Sequence, residues 1–280
     1  MKVGVNLLLW TASPNFSEHG HLLDDLKDWG FDAFEIGVGG LSAAEIGKFS
    51  RKAQDLGLTI SALDVFVASD MDTISPDPAM RKKASAFIKT CIDKTVDIGS
   101  KTFSGPLYQG LCNTTQTGPS KDEWKWAVDI LRDCALYAKG KGIRIACEPI
   151  NRFEAYLVTT VQAAYDFAIE VGADNLGILA DTHHGNIEEY DVAAAWEKVV
   201  DRIYNVHISE NNRGIPGYGH AIPPRVFEVL KKAGYDGTLI IEAFNANVPA
   251  IAGMLRLWRP FVDKESIIAK EGLKFIKRHL

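Results

Sequence analysis

Short apolar runs alternate with longer amphipathic segments eight times along this 280-residue chain, and no other feature of the sequence constrains its fold as much. The runs, rich in β-branched residues, fall at 3–9, 33–36, 59–63, 102–104, 144–147, 176–180, 203–207 and 239–241. Helical patterns separate them, clearest at 22–29, 43–56, 79–98, 122–141 and 161–171. Gly30, Gly57, Gly99, Gly142, Gly172 and Gly234 each stand between a helical pattern and the next run. Glycine accepts the left-handed backbone that ends a helix, so these positions mark helix-to-strand turns. Pro78, Ser120, Thr160 and Pro223 stand where helix starts are expected. Strands joined by helices in this rhythm pair in parallel through right-handed crossovers. Eight units of about 35 residues predict one α/β domain over residues 1–280, a single (β/α)8 TIM barrel. An additional C-terminal helix over 264–280 is expected to pack across the barrel or at a subunit contact. An open doubly wound sheet is the competing arrangement, but no Gly-x-Gly-x-x-Gly follows the first run.

The chemistry of such a barrel gathers at the C-terminal ends of its strands, so the residue that follows each apolar run is the informative one. Strand five ends at Glu148, strand six at Asp181, strand seven at His207 and strand eight at Glu242. The spacings are 33, 26 and 35 residues, each about one strand–helix unit. Four successive strands therefore end in a metal-competent side chain on one face of the barrel. Any one of them alone would read as a solvated carboxylate or a satisfied core histidine. Three carboxylates buried close together repel unless a cation lies between them. One histidine with three carboxylates is an oxygen-rich set, which suits one divalent ion, Mn²⁺ first, then Co²⁺ or Mg²⁺, over tetrahedral zinc. Four protein ligands on a six-coordinate ion leave two places for a bidentate hydroxy-ketone. Because a chain this long needs no metal for stability, the ion is expected to be functional.

Composition narrows the partners. The formal net charge is −5 and no run of Lys or Arg stands out, which excludes the basic face that nucleic acid or an anionic membrane surface requires. The four cysteines, Cys91, Cys112, Cys134 and Cys147, form no Cys-x-x-Cys pair and read as free thiols of a reducing compartment. The apolar start of the chain lacks the charged segment and cleavage site of a signal peptide, and no stretch has the apolar length of a membrane helix. A cytoplasmic location is expected.

At the four strand ends the sequence resembles the ketose 3-epimerases, the D-tagatose, D-allulose (D-psicose) and L-ribulose 3-epimerases of the xylose-isomerase-like superfamily. The resemblance runs along most of the chain. It is strongest in Glu148-Pro-Ile-Asn-Arg-Phe-Glu154, Asp181-Thr-His-His184 with Asn186-Ile-Glu-Glu189, the segment from His207 to Arg213, and Ile241-Glu242-Ala-Phe244. It implies metal ligation by Glu148, Asp181, His207 and Glu242, and substrate contacts from Glu154, His184 and Arg213. Asn6 and Tyr108, near the ends of strands one and four, are added as expected substrate contacts. Asn6 and Leu7 stand where D-allulose epimerases often carry aromatic residues, and Gly105-Pro-Leu-Tyr108 is closer to the L-ribulose branch. Homodimers or homotetramers are usual among these relatives, and the region 258–260 with the C-terminal helix is a candidate contact.

The resemblance implies reversible inversion at carbon 3 of a free ketose through a metal-stabilised cis-enediolate, with Glu148 and Glu242 as opposed acid and base groups. Those two residues lie three strands apart around an eight-strand mouth, so they can flank a sugar on its two faces. His183 is expected to point away from the site, Glu35 to support a ligand from behind, and His220 to cap its own loop. Trp10, Phe66, Tyr108 and Phe244 are expected to form an apolar wall. Strand eight leads into Glu242-Ala-Phe-Asn-Ala-Asn without the glycines of a phosphate loop, which favours an unphosphorylated monosaccharide. A keto-inositol or oxo-glycoside isomerase, dehydratase or epimerase is the alternative on the same metal site.

Overall fold

The computed structural model describes all 280 residues. In chain order its elements are β1 (Lys2–Asn6), α1 (Phe16–His19), α2 (His21–Trp29), β2 (Ala33–Gly37), α3 (Ala43–Leu56), β3 (Thr59–Leu63), α4 (Pro78–Ile98), β4 (Thr102–Gly105), α5 (Lys121–Lys139) and β5 (Arg144–Cys147). They continue as α6 (Val161–Val171), β6 (Leu176–Asp181), α7 (Thr182–Glu188), α8 (Val192–Val199), β7 (Ile203–Ile208), α9 (Arg225–Lys232), β8 (Thr238–Ile241), α10 (Pro249–Leu255) and α11 (Glu265–His279). Each strand pairs in parallel with the next, and β1 pairs with β8 to close the barrel. The expected (β/α)8 barrel is therefore the observed fold.

Local chemistry explains where the elements stop. Ser120 caps α5 and Glu123 returns the bond to the Ser120 N–H, so both ends of a capping box are made. Thr160 caps α6 in the same sense. All six glycines expected to end helices have φ between 65° and 91°, the left-handed region that costs a glycine least. The helix expected at the C-terminus forms and packs against β1 and β8 on the barrel wall; its Lys277 Nζ donates to the Gly30 carbonyl at 2.9 Å.

The first apolar run ends early. Residues 3–9 were expected as one strand, yet β1 stops at Asn6 and Leu7–Leu9 form a 3₁₀ turn. The Asn6 side chain accepts from the Leu8 N–H at 2.8 Å and so caps the turn, a competition with the strand that Asn side chains often win.

Apolar side chains fill the layer between strands and helices. Inside the barrel the apolar filling is small, with Leu63, Ala146 and Leu179 packed together. Beside them lies a polar layer made of Asn6, Glu35, Ser61, Ser104 and Asn205, every one buried. No helix is long and apolar enough to cross a membrane.

Candidate metal centre

Strand register brings the four expected ligands together. Asp181, the last residue of β6, lies directly opposite His207 of β7. Glu148 follows β5 and Glu242 follows β8, each one residue past its strand. One ligand atom from each of Glu148, Asp181, His207 and Glu242 lies within 4.8 Å of the others, and all four residues are buried. His207 Nδ1 is 3.4 Å from Glu148 Oε1, 3.5 Å from Glu242 Oε1 and 4.0 Å from Asp181 Oδ2.

Glu35 sets the direction of the histidine. Its Oε2 lies 2.8 Å from His207 Nε2, which fixes an N–H on that nitrogen and turns Nδ1 toward the carboxylates, where it can bind a metal once free of its proton. Glu35 itself accepts from Ser61 Oγ, Asn6 Nδ2 and Asn205 Nδ2 at 2.7, 2.9 and 3.0 Å. Asn205 is held in turn by Thr238 Oγ1 at 2.7 Å. The support expected of Glu35 is in place, and Asn205, which the sequence reading did not single out, is its partner.

The donor set fits a divalent ion. Glu148 Oε1 and His207 Nδ1 are both buried and neither has a hydrogen-bond partner. These two orphans face each other within the cluster, and buried acceptors without a donor are costly. Arg213 is the one cation against the carboxylates, with Nη1 2.8 Å from Asp181 Oδ2 and 2.5 Å from Glu242 Oε2. With all three carboxylates ionised and His207 neutral, as ligation requires, one guanidinium leaves two negative charges, which a divalent cation balances. Glu148, Asp181, His207 and Glu242 would hold it.

The fields around the four groups differ. Burial, with Glu242 and Asp181 nearby, pushes Glu148 up to about 8 against the pull of His207. Burial raises Asp181 to about 6, opposed by Arg213. Glu242 is equally buried, but His207 and Arg213 outweigh that burial and hold it well below the usual carboxylate range. Burial alone would lower His207; Glu35 and Glu242 reverse this and raise it well above its ordinary value. A metal takes the place of the proton that these carboxylates attract.

A second group of side chains adjoins the cluster. His184 Nδ1 lies 3.1 Å from the Asn151 N–H, and its Nε2 lies 2.9 Å from Arg213 Nη2. Burial, then the neighbouring Arg213, keeps His184 neutral by lowering it well below its ordinary value. A neutral imidazole accepts at only one nitrogen, yet both of its nitrogens face donors. An oxygen placed between His184 Nε2 and Arg213 would accept from both. Asn151 Nδ2 donates to Glu154 Oε1 at 2.7 Å, tying Glu154 to the same group; the sequence reading missed Asn151, although it lies inside the Glu148–Glu154 motif.

A cavity of about 70 Å³ opens onto these residues and is lined by Glu148, Glu154, His184, Arg213 and Glu242 on its polar side. Of the expected aromatic wall only Phe244 lines it. Asn6 and Tyr108, expected to touch substrate, do not line it. Asn6 is fully buried on Glu35, and the Tyr108 hydroxyl donates to the Val158 carbonyl at 2.7 Å and accepts from the Ile150 N–H at 3.2 Å. Position after a strand does not fix the direction of a side chain, and both of these turn into the protein. His183 turns from the cluster as expected, its Nδ1 2.9 Å from the Glu210 carbonyl. The His220 side chain sits on an exposed loop.

Comparison with known proteins follows the same lines. The xylose isomerase-like TIM barrel family matches residues 23–279. An L-ribulose 3-epimerase of Mesorhizobium japonicum is 29% identical, covering 98% of this chain and 93% of that protein. A D-psicose 3-epimerase of Ruminiclostridium cellulolyticum is 28% identical, covering 92% and 89%. Among solved structures, that of an L-ribulose 3-epimerase superposes with a TM-score of 0.93 at 30% identity, covering 100% of this chain and 94% of the other.

Proposed function

Because this chain belongs to the xylose isomerase-like TIM barrel family, and within it to the ketose 3-epimerases, an isomerase class, we propose that it inverts carbon 3 of a free ketose of the D-tagatose, D-fructose/D-allulose or L-ribulose class. The observation that carries this reading is the pair Glu148 and Glu242. They share one buried cluster, stand three strands apart, and feel opposite fields.

Inversion needs a base on one face of the carbon and an acid on the other. In the metal-free fold burial gives Glu148 the higher proton affinity, while His207 and Arg213 give Glu242 the lower one, so Glu242 is assigned the removal of the carbon-3 proton and Glu148 its return. Two carboxyl groups set apart by their surroundings can play the two roles, and exchange them for the reverse reaction. His184 and Arg213 direct N–H groups at one point and hold the sugar oxygen next to the reacting carbon. Glu154 keeps one carboxylate oxygen beyond its bond to Asn151 and takes the terminal hydroxyl at the carbonyl end, that of carbon 1. Glu148, Asp181, His207 and Glu242 would hold a divalent ion, Mn²⁺ in this reading, with Co²⁺ or Mg²⁺ as substitutes, which would supply Lewis-acid polarisation of the ketone and positive charge beside the cis-enediolate. The four unpaired cysteines support a cytoplasmic location, and the family resemblance supports a homodimer or homotetramer.

Incubation with Mn²⁺ and a panel of ketoses in D₂O tests the reading. Deuterium is expected at carbon 3 of the epimerised sugar. Label confined to carbon 1 or 2 would refute it. Glu148→Gln and Glu242→Gln are each expected to lower kcat by at least about 10²-fold, and turnover retained in either removes that residue from the pair.

A further inference from the structure

The cavity has two unlike halves. Its polar side chains come from the ends of β5 to β8 and form one continuous patch, with Arg213 Nη2 2.9 Å from His184 Nε2 and Glu154 joined to His184 through Asn151. The half built on β1 to β4 presents Leu8, Leu63, Pro106 and Leu111, and α10 closes over with Met254 and Leu255. No charged, amide or hydroxyl side chain from β1 to β4 reaches the cavity.

The polar residues of that half are engaged elsewhere. Asn6 is spent on Glu35 and the Leu8 N–H. Ser61 and Ser104 serve the Glu35–Asn205 layer beneath. Asp64 accepts from the Gly39 and Val65 N–H groups. Gln109 accepts from the Tyr156 and Leu157 N–H groups at 3.1 and 2.8 Å.

We propose that the site prefers a ketose whose end remote from the carbonyl is a methyl group, the 6-deoxyketohexose class, over the matching sugar with a terminal hydroxymethyl. The inference rests on the epimerase reading, which places the carbonyl end against the polar half. The far end of a six-carbon chain then meets the apolar half, where a hydroxyl loses water and finds no partner. A methyl group there removes apolar surface from water without that penalty.

The test uses the full-length protein loaded with Mn²⁺ and two matched pairs, D-tagatose with 6-deoxy-D-tagatose and D-fructose with 6-deoxy-D-fructose. The kcat/KM of the deoxy sugar is expected to be higher by roughly ten- to a hundredfold, the range in which apolar pockets discriminate against an added hydroxyl. Leu8→Gln, at a partly exposed position, and Met254→Gln, at an exposed one, each place an amide in the apolar half, and they should bring the ratio toward one. A ratio of one or less in both pairs overturns the preference while leaving the epimerase reading intact. A ratio that neither variant moves overturns the assignment to this half of the cavity. If no ketose exchanges its carbon-3 proton, the epimerase reading fails, and this inference fails with it.

Discussion

Glu35 is the residue on which the reach of His207 depends. It sits one layer below the cluster and has no solvent exposure. Its four partners, His207, Asn6, Ser61 and Asn205, are all placed to donate. In Glu35→Gln the side chain keeps one acceptor oxygen, and its new NH₂ group meets donors it cannot bond. His207 then loses either its fixed N–H position or its orientation, and with it the Nδ1 lone pair that faces the carboxylates. Removing such a support typically costs ten- to a hundredfold in metal affinity. Titration of the metal-free variant with Mn²⁺, followed by the electron paramagnetic resonance signal of the free ion, should show a loss of about that size. Unchanged affinity would mean that Glu35 serves the barrel core alone. The sequence pointed to this carboxylate as lying near the end of the second apolar run, although it stands in the middle of β2; the same rule misplaced Asn6, whose side chain bonds within the polar layer.

Among the elements, the short β4 is the one whose geometry the site depends on most directly. Gly105 ends it at φ 141°, and a Cβ there would collide with the Asp64 carbonyl. Its own carbonyl accepts the Glu148 N–H at 3.0 Å, so this glycine holds the backbone of a proposed metal ligand. Gly105→Ala is expected to cost about 3 kcal/mol through backbone strain and overpacking, read as a lower urea midpoint at unchanged slope. Metal affinity should fall with it, since the Glu148 backbone must move. Most element boundaries were legible because apolar period and glycine caps agree; β3 and β5 and helices α3 and α6 form over the residues expected. Helices α7 and α10 were not legible. Helix α7 reads Thr-His-His-Gly-Asn-Ile-Glu, with no apolar stripe, and it is started by the Asp181 side chain accepting from the His183 N–H at 2.6 Å. The buried cluster of Glu148, Asp181, His207 and Glu242 was readable from strand ends, whereas the apolar half of the cavity was not, because Leu8, Leu111 and Met254 come from loops and a helix that periodicity does not orient.

Over the whole molecule, metal, protons and stability are linked through the cluster. A metal that binds only the folded chain stabilises it, and it does so by displacing protons from the same groups. Burial has raised Glu148 to about 8 and Asp181 to about 6, both above an ordinary carboxyl. A raised acid in the metal-free fold contributes stability that is present below its unfolded pKa and lost as pH climbs through the folded one. The metal acts in the opposite direction, because binding needs the ionised form and gains strength as the proton leaves. For one proton displaced, apparent affinity rises about tenfold per pH unit, or about 1.4 kcal/mol, until the group is free. The melting temperature of Mn²⁺-loaded protein minus that of EDTA-treated protein should therefore widen from pH 6 to pH 8, by at least roughly 2 °C per unit for a chain of this size, and less steeply above 8. Calorimetric titration in buffers of different ionisation heat should find more than one proton released per Mn²⁺ at pH 7, from Glu148 and from His207 Nδ1. Glu148→Gln removes the carboxyl that titrates in this range, so its melting difference should widen less over the same range. A flat profile in the unaltered protein would show that Glu148 is already ionised before the metal arrives, and that burial beside Asp181 and Glu242 does not hold a proton there.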